Sequence, residues 1–150
     1  MSDFSEKEKM IHTSFYIDDL NDAWVLLQDI KPELNKNNKL LGAAFSFALI
    51  KYARPFKKSN GVTNKKHNLP ESFVPKEYKE LHSKIIKSRD KILAHKDLDI
   101  FEPTYSNGII CKNIVYETQM LEKIDNIISL IEKILDKLYE NEVTVVDGHG

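Results

Sequence analysis

The chain has 150 residues, 41% of them hydrophobic and 30% charged, and its formal net charge is −1. These values predict a single globular domain over residues 1–150 that buries about two-thirds of its unfolded surface. A membrane span is not expected, because no apolar run approaches the ~20 residues that a bilayer requires. The polar start MSDFSEKEK predicts no secretory signal, and the one cysteine, Cys111, excludes an internal disulfide, so we expect a cytoplasmic protein.

Apolar residues that recur at three- and four-residue steps predict an all-α fold, an up-and-down four-helix bundle. Pro32 is expected to end or kink the first helix or to begin a short helical piece, and Pro75 to open the third helix as its first residue. Residues 1–12 and 141–150 are expected to be flexible, and residues 57–74 to form a basic loop. The four helices are predicted from about Thr13 to Pro32, Asn38 to Phe56, Pro75 to His95 and Glu117 to Glu140.

The segment between the third and fourth helices has a different pattern. Its apolar residues flank Ser106-Asn107-Gly108, which is a turn signal with β-rich neighbours. The pattern fits a small β-hairpin or an ordered loop, and the sequence does not choose between them.

The apolar stripe of the fourth helix is wider than one neighbouring helix requires. It fits packing in the bundle on one side and against a second protomer on the other, and it fits complete burial within one monomer equally well. The stripe consists of Leu121, Ile124, Ile127, Ile128, Leu130, Ile131, Ile134, Leu135 and Leu138.

One position on the third helix breaks the apolar pattern. Arg89 lies about 40° from Ile85 on a helical wheel, within the stripe that also contains Leu81 and Ile92. A guanidinium keeps its charge, so burying it without a partner is very costly. Either an internal carboxylate pairs with Arg89, or the stripe opens there onto a cleft or a second subunit.

The stretch that follows, Arg89-Asp90-Lys91-Ile92-Leu93-Ala94-His95, resembles the signature of the HEPN superfamily. That signature is an arginine, usually followed by Asn, Asp or His, and a histidine after four to six further residues. The resemblance implies a small helical bundle that dimerises with two copies of the motif facing each other. It also implies a metal-independent endoribonuclease of a toxin, abortive-infection or CRISPR-linked system, or a member that has lost this activity.

Cleavage of RNA without a metal assigns a role to each residue of this motif. The ribose 2′-OH attacks its own 3′-phosphate, which requires a proton-transfer group that titrates near neutral pH, and we assign this to His95. Arg89 would stabilise the charge on the phosphorane, and Asp90 would orient one of the two. Candidate contacts to the RNA backbone are Lys84, Ser88, Lys91, Lys57 and Lys58.

The charge of the chain is strongly segregated. Residues 51–96 contain 13 Lys or Arg and 4 Asp or Glu, whereas the remaining residues contain 9 and 19. Lys84, Ser88, Lys91 and His95 line one wall of the third helix. Such a basic wall fits an anionic partner such as RNA, and lysines that only solvate an exposed face remain the alternative.

The spacing of the motif favours a site shared by two subunits. Arg89 and His95 are six residues apart, which separates them by about 120° and ~9 Å on a straight helix. They cannot grip one phosphate from the same straight helix. In a homodimer, Arg89 of one subunit can lie near His95 of the other.

No metal or cofactor is expected, because the five histidines show no ligand spacing. Two functions therefore remain open. The first is a homodimeric, metal-independent endoribonuclease, with a cognate antitoxin or regulatory protein as a further expected partner. The second is a catalytically inactive helical dimer that binds a protein or nucleic acid, with Arg89 fixed in a buried ion pair.

Overall fold

The computed structural model describes residues 2–36, 40–61, 66–93, 101–106, 109–114 and 120–147. In these residues the protein is mostly helical, as predicted, and four long helices dominate it. Helix α1 lies against α2 and α4, and α2 lies against α3. The up-and-down arrangement of the bundle stays a prediction. The long helices are α1 (Ser2–Ile30), α2 (Leu41–Ala53), α3 (Lys79–Leu93) and α4 (Ile124–Asp147).

Proline positions explain where the first two long helices end. Helix α1 stops at Ile30, and Pro32 lies in the 3-10 turn Lys31–Glu33, so the prediction of a short helical piece is confirmed. Helix α2 stops at Ala53, short of the predicted Phe56, and Pro55 lies in the next 3-10 turn. Proline lacks the N–H that continues an α-helix, which is why the chain changes helix type at both places.

Helix α3 also begins later than the sequence predicts. Pro75 precedes a 3-10 turn, Lys76–Tyr78, and the α-helix follows from Lys79. Proline therefore opens the helical segment, but through one tight turn. Another 3-10 turn, Glu71–Phe73, lies just before this segment.

Two long helices extend beyond their predicted bounds. The sequence predicts flexible residues 1–12 and a flexible tail from 141, whereas α1 begins at Ser2 and α4 continues to Asp147. Glutamate and lysine in the first of these segments favour helix without producing an apolar stripe. Glu8 is nevertheless only 7% exposed, which shows that this part of α1 is covered by other residues of the chain.

Strands form two small antiparallel pairs. Strand β1 (Ser59–Asn60) pairs with β2 (Lys66–His67), inside the segment that the sequence predicts as a loop. Strand β3 (Phe101–Ser106) pairs with β4 (Ile109–Ile114), and Ser106 is opposite Ile109. Of the two alternatives for this segment, the hairpin is therefore the one that forms, with Asn107 and Gly108 between the paired ends.

The apolar stripe of α4 lies in the core of one chain. Ile127, Leu130, Ile131 and Ile134 have no exposed surface, and the other members of the stripe are buried or half-buried. Complete burial within a monomer is therefore the correct alternative for these residues, and this stripe offers no separate face to a second protomer. Among the described residues, no helix combines the length and apolarity needed to cross a membrane.

Candidate functional site

Arg89 lies on the core side of α3, as the wheel predicts. Its neighbours on this face, His82, Ile85, Ser88 and Ile92, are all buried. The Arg89 side chain is 22% exposed, so the helix carries it at the border between core and solvent. A cation in this position has lost most of its hydration, and its remaining contacts decide whether it is tolerated.

Arg89 belongs to a small charged cluster at the end of α3. Its Nη1 atom donates a hydrogen bond to Oδ1 of Asp90 at 2.9 Å. Nζ of Lys57 lies 3.1 Å from the same carboxylate oxygen. Because one acid serves two cations, the Arg89–Asp90–Lys57 cluster keeps a net positive charge.

The protonation state of this cluster is fixed by its contacts. Partial burial acts to raise the pKa of Asp90, but the hydrogen bonds from Arg89 and Lys57 and their charges outweigh it, so the pKa lies below its usual range. Asp90 is therefore ionised at neutral pH. Nε of Arg89 is buried and has no hydrogen-bond partner among the described residues. This donor is thus unused by the described residues, while the side chain as a whole keeps 22% of its surface exposed.

The other predicted contacts divide into exposed and covered groups. Lys84 and Lys58 are exposed, and Nζ of Lys84 lies 3.4 Å from Oε1 of Glu80 on the next helical turn. Lys91 is half-buried and has a contact within the protein. Ser88 is only 1% exposed, so it does not share an exposed wall with the lysines as the sequence predicts. On the wheel it borders the apolar stripe, and the packing of α3 covers it.

His95 falls within 94–100, outside the described residues. The structure thus places Arg89, Asp90 and Lys57 together, while the relation of His95 to this cluster stays a prediction. The same holds for the facing arrangement of two motifs, which requires a second chain.

A second cluster joins residues that are far apart in the sequence. Glu8 and His12 are one turn apart on α1, and His67 lies in β2. One potential metal-ligand atom from each of the three side chains falls within 4.8 Å of the others. The rings of His12 and His67 are stacked, with centroids 4.1 Å apart and planes 13° from parallel.

The short β-pair positions this second cluster. Ser59 is opposite His67 in the pairing of β1 with β2, and its hydroxyl donates to the main-chain oxygen of His67 at 3.3 Å. The same oxygen, Oγ, lies 3.4 Å from Nδ1 of His12. Burial, and then the neighbouring His67, lower the pKa of His12 more than Glu8 raises it, so His12 is neutral at pH 7.

A third polar group lies within the core. The hydroxyl of Tyr52 is 2.8 Å from Nδ1 of His82, and the ring of Phe56 packs edge-on against His82. Burial lowers the pKa of His82 despite the opposing effect of Glu71, so its ring is neutral. A neutral imidazole in such a place satisfies a buried tyrosine, and a structural role accounts for the pair.

The sequence indicates the first cluster in part and does not indicate the second. Arg89 and Asp90 are adjacent in a recognisable motif, but the partner Lys57 is 33 residues away from Asp90. Glu8 and His12 have the four-residue spacing that places two side chains on one helix face, and this was the available signal. It carries little weight alone, because the third member, His67, comes from a different element.

Comparison of the chain with protein-family models, with curated proteins and with solved structures found no match. The resemblance to the HEPN motif therefore rests on the seven residues that carry it.

Proposed function

We propose that the chain is a metal-independent endoribonuclease that acts as a homodimer, with the segment Arg89–His95 at the dimer cleft. The observation that carries this proposal is the held but incompletely bonded guanidinium of Arg89. Asp90 binds one of its nitrogens, while the buried Nε has no partner among the described residues. A preorganised cation that is still partly exposed is suited to stabilise charge that develops on a phosphate.

The proposed reaction uses this cation together with His95. The histidine removes the proton of the ribose 2′-OH, whose oxygen attacks the adjacent phosphorus. Arg89 stabilises the negative charge of the phosphorane, the P–O5′ bond breaks, and the 5′-oxygen takes up the proton held by the histidine and leaves as a 5′-hydroxyl, which leaves a 2′,3′-cyclic phosphate. Asp90, which is ionised and bound to Lys57, keeps the guanidinium in place.

The expected dimer has some support at the motif helix itself. Leu93, the last residue of α3, is 43% exposed although it is apolar. An apolar residue at this position suits an interface that places the two motifs side by side. The stripe of α4 gives no support for the dimer, because residues of its own chain cover it.

A catalytically inactive, HEPN-like helical dimer that binds a protein or nucleic-acid partner is the second candidate. The observation that favours it is the same ion pair, because Arg89 already has a carboxylate partner in its own chain. In this case Asp90 neutralises the arginine, and the basic residues around it serve only to attract a partner.

Cleavage of mixed-sequence RNA in excess EDTA tests the proposal. Wild-type protein should produce 2′,3′-cyclic phosphate ends, and His95→Ala and Arg89→Ala should not. Arg54→Ala is the matched control, since Arg54 is the other arginine of the chain, is exposed, and pairs with Asp19 instead. No cleavage by wild type at high concentration would favour the second candidate, whereas cleavage that survives both motif substitutions would mean a contaminating nuclease or a different site.

Mixing the two inactive variants tests the shared site. If Arg89 of one subunit acts with His95 of the other, a heterodimer of Arg89→Ala and His95→Ala retains one intact site. Random exchange of subunits should then restore about a quarter of the wild-type rate, because half of the dimers are mixed and each has one of two sites. A site within one subunit would show no recovery, which would refute the shared site while leaving the ribonuclease intact.

A further inference from the structure

The cluster of Glu8, His12 and His67 has the ligand chemistry of a divalent-metal site. Two imidazoles and one carboxylate form the protein ligands of many catalytic zinc sites, with the fourth position left to water or another ligand. Here α1 supplies two of the groups from successive turns, and the β1–β2 pair supplies the third. The helix thus holds two ligands rigidly, and the β-pair supplies the third ligand that completes the site.

The closest pair of atoms in the cluster has the spacing of two metal ligands. Oε1 of Glu8 is 3.4 Å from Nε2 of His67. Zinc–ligand bonds of about 2.0–2.2 Å at tetrahedral angles put neighbouring ligand atoms about 3.4 Å apart. These two atoms do not form a hydrogen bond, because Nε2 of His67 is buried and has no hydrogen-bond partner among the described residues. The distance therefore fits a shared ion better than a direct contact.

The surroundings of His12 leave its other nitrogen free to bind a metal. The single hydroxyl proton of Ser59 is directed to the main-chain oxygen of His67, so Oγ acts as the acceptor towards Nδ1 of His12. This assigns the His12 proton to Nδ1 and the lone pair to Nε2. A hydrogen bond to the non-coordinating nitrogen is the usual way in which proteins orient a metal-binding histidine.

Gly61 keeps the centre of the cluster open. A Cβ atom at this position would overlap with Oε1 of Glu8 and would lie 2.8 Å from Nε2 of His67. Any larger residue would therefore fill the space between the two ligand atoms. Glycine at this position therefore leaves the space between these two atoms free of a side chain.

We propose that Glu8, His12 and His67 bind one zinc ion, with Ser59 as the group that orients His12 and with at least one coordination position open. A metal must lie in the plane of each imidazole that binds it, whereas the two rings are now stacked. Because the spacing of Glu8 and His67 already suits an ion, the ring that turns when the ion enters is His12. The ion would connect the start of α1 to the β1–β2 pair, and its ligands are not among the residues assigned to the proposed ribonuclease.

Titration of the purified, EDTA-treated and dialysed chain with zinc chloride tests this proposal by calorimetry. One ion should bind per chain with micromolar or tighter affinity. Ser59→Ala should weaken binding about 10-fold, as loss of a supporting hydrogen bond does, and Glu8→Gln or His12→Gln should weaken it by more than about 100-fold. Glu6→Gln is the matched control, since Glu6 is an exposed carboxylate on the same helix. It should leave affinity unchanged.

Zinc-dependent shifts of the histidine ring resonances provide a readout that needs no variant. His12 and His67 should shift at one equivalent of zinc, and the core residue His82 should not. Absence of stoichiometric binding at 100-fold excess metal would overturn the proposal, as would binding that Glu8→Gln and His12→Gln leave intact. Activity of the protein on RNA has no part in these measurements, so the zinc site and the ribonuclease succeed or fail separately.

Discussion

The charged cluster at the end of α3 and the cluster beneath the β1–β2 pair are built in opposite ways. Arg89 and Asp90 are neighbours in sequence on α3, and only Lys57 comes from another segment. Glu8 and His67 are 59 positions apart in the numbering and approach each other only because α1 and β2 meet. A local motif suggests chemistry from the sequence alone, whereas a cluster assembled by the fold becomes visible only in three dimensions.

The two clusters also differ in charge and in what they are suited to bind. The Arg89–Asp90–Lys57 cluster has two cations and one acid, and so favours an anion. The other cluster has a carboxylate and two imidazoles, at least one of them neutral, and so favours a cation.

Loss of His95 should have the largest effect. His95→Ala should lower the rate of RNA cleavage by about 10²–10⁴-fold, the usual contribution of general acid–base catalysis. The measurement is the initial rate on a fluorescent RNA in EDTA, with circular dichroism to verify the fold. Arg89→Lys should retain the charge but lose the planar fork, and so fall between wild type and Arg89→Ala. Equal rates for wild type and His95→Ala would show that His95 takes no part in the cleavage reaction.

Zinc should stabilise the protein through the other cluster. At a free zinc concentration of 100 times the dissociation constant, the free energy of unfolding should rise by about 2.7 kcal/mol, because the ion binds the folded state. Urea denaturation with and without zinc measures this. The increase should vanish in Glu8→Gln and persist in Glu6→Gln. An increase of the same size in both variants would place the ion elsewhere.

The sequence predicted what depends on local pattern. Pro32 marked the change of helix type, and Arg89 stood out within an apolar face, whereas the wide stripe of α4 fitted the core and a dimer interface equally well. It did not predict the β1–β2 pair, because two-residue strands leave no alternating pattern. The extension of α1 to Ser2 was missed for the same reason, since polar residues gave it no apolar period.

Contacts between side chains on different elements were the second feature that the sequence did not predict. Lys57 was predicted to contact RNA, but nothing in the sequence linked it to Asp90, because that contact depends on how the segment after α2 passes the end of α3. Ser88 shows the reverse case. A helical wheel placed it beside the lysines, but it also borders the apolar stripe, and only the packing of α3 decided that it is covered.

Filling the gap at Gly61 should destabilise the protein even without a metal. A Cβ there overlaps with Oε1 of Glu8, which is the far end of a side chain that can shift, so Gly61→Ala should lower the free energy of unfolding by about 1 kcal/mol, the low end of the cost of overpacking. It should also abolish zinc binding. Gly42→Ala, in the first turn of α2, is the matched control and should be neutral or stabilising by up to about 1 kcal/mol. Similar behaviour of the two variants would mean that the Gly61 gap is not required.

The protein should become less stable in mild acid. Burial lowers the pKa of His82 in the folded state, whereas the unfolded chain retains the ordinary value of 6.5. Below that pH the unfolded state binds more protons, so stability falls as pH falls, by up to about 1.4 kcal/mol per pH unit for this group. Urea denaturation between pH 7.5 and 5 measures the slope. His82→Gln should flatten it, and an unchanged slope would assign the acid sensitivity to His12, whose pKa is also lowered.

The smallest expected effect belongs to Lys57. Its ion pair with Asp90 is partly exposed, with 39% of the lysine side chain in contact with solvent, so Lys57→Ala should change the free energy of unfolding by less than about 1 kcal/mol. If Lys57 also contacts the RNA backbone, the slope of log affinity against log salt should decrease by about 0.7. Fluorescence anisotropy on single-stranded RNA at several salt concentrations measures this. An unchanged slope would restrict Lys57 to holding Asp90, and would leave Arg89 as the cation of this cluster that meets the phosphate.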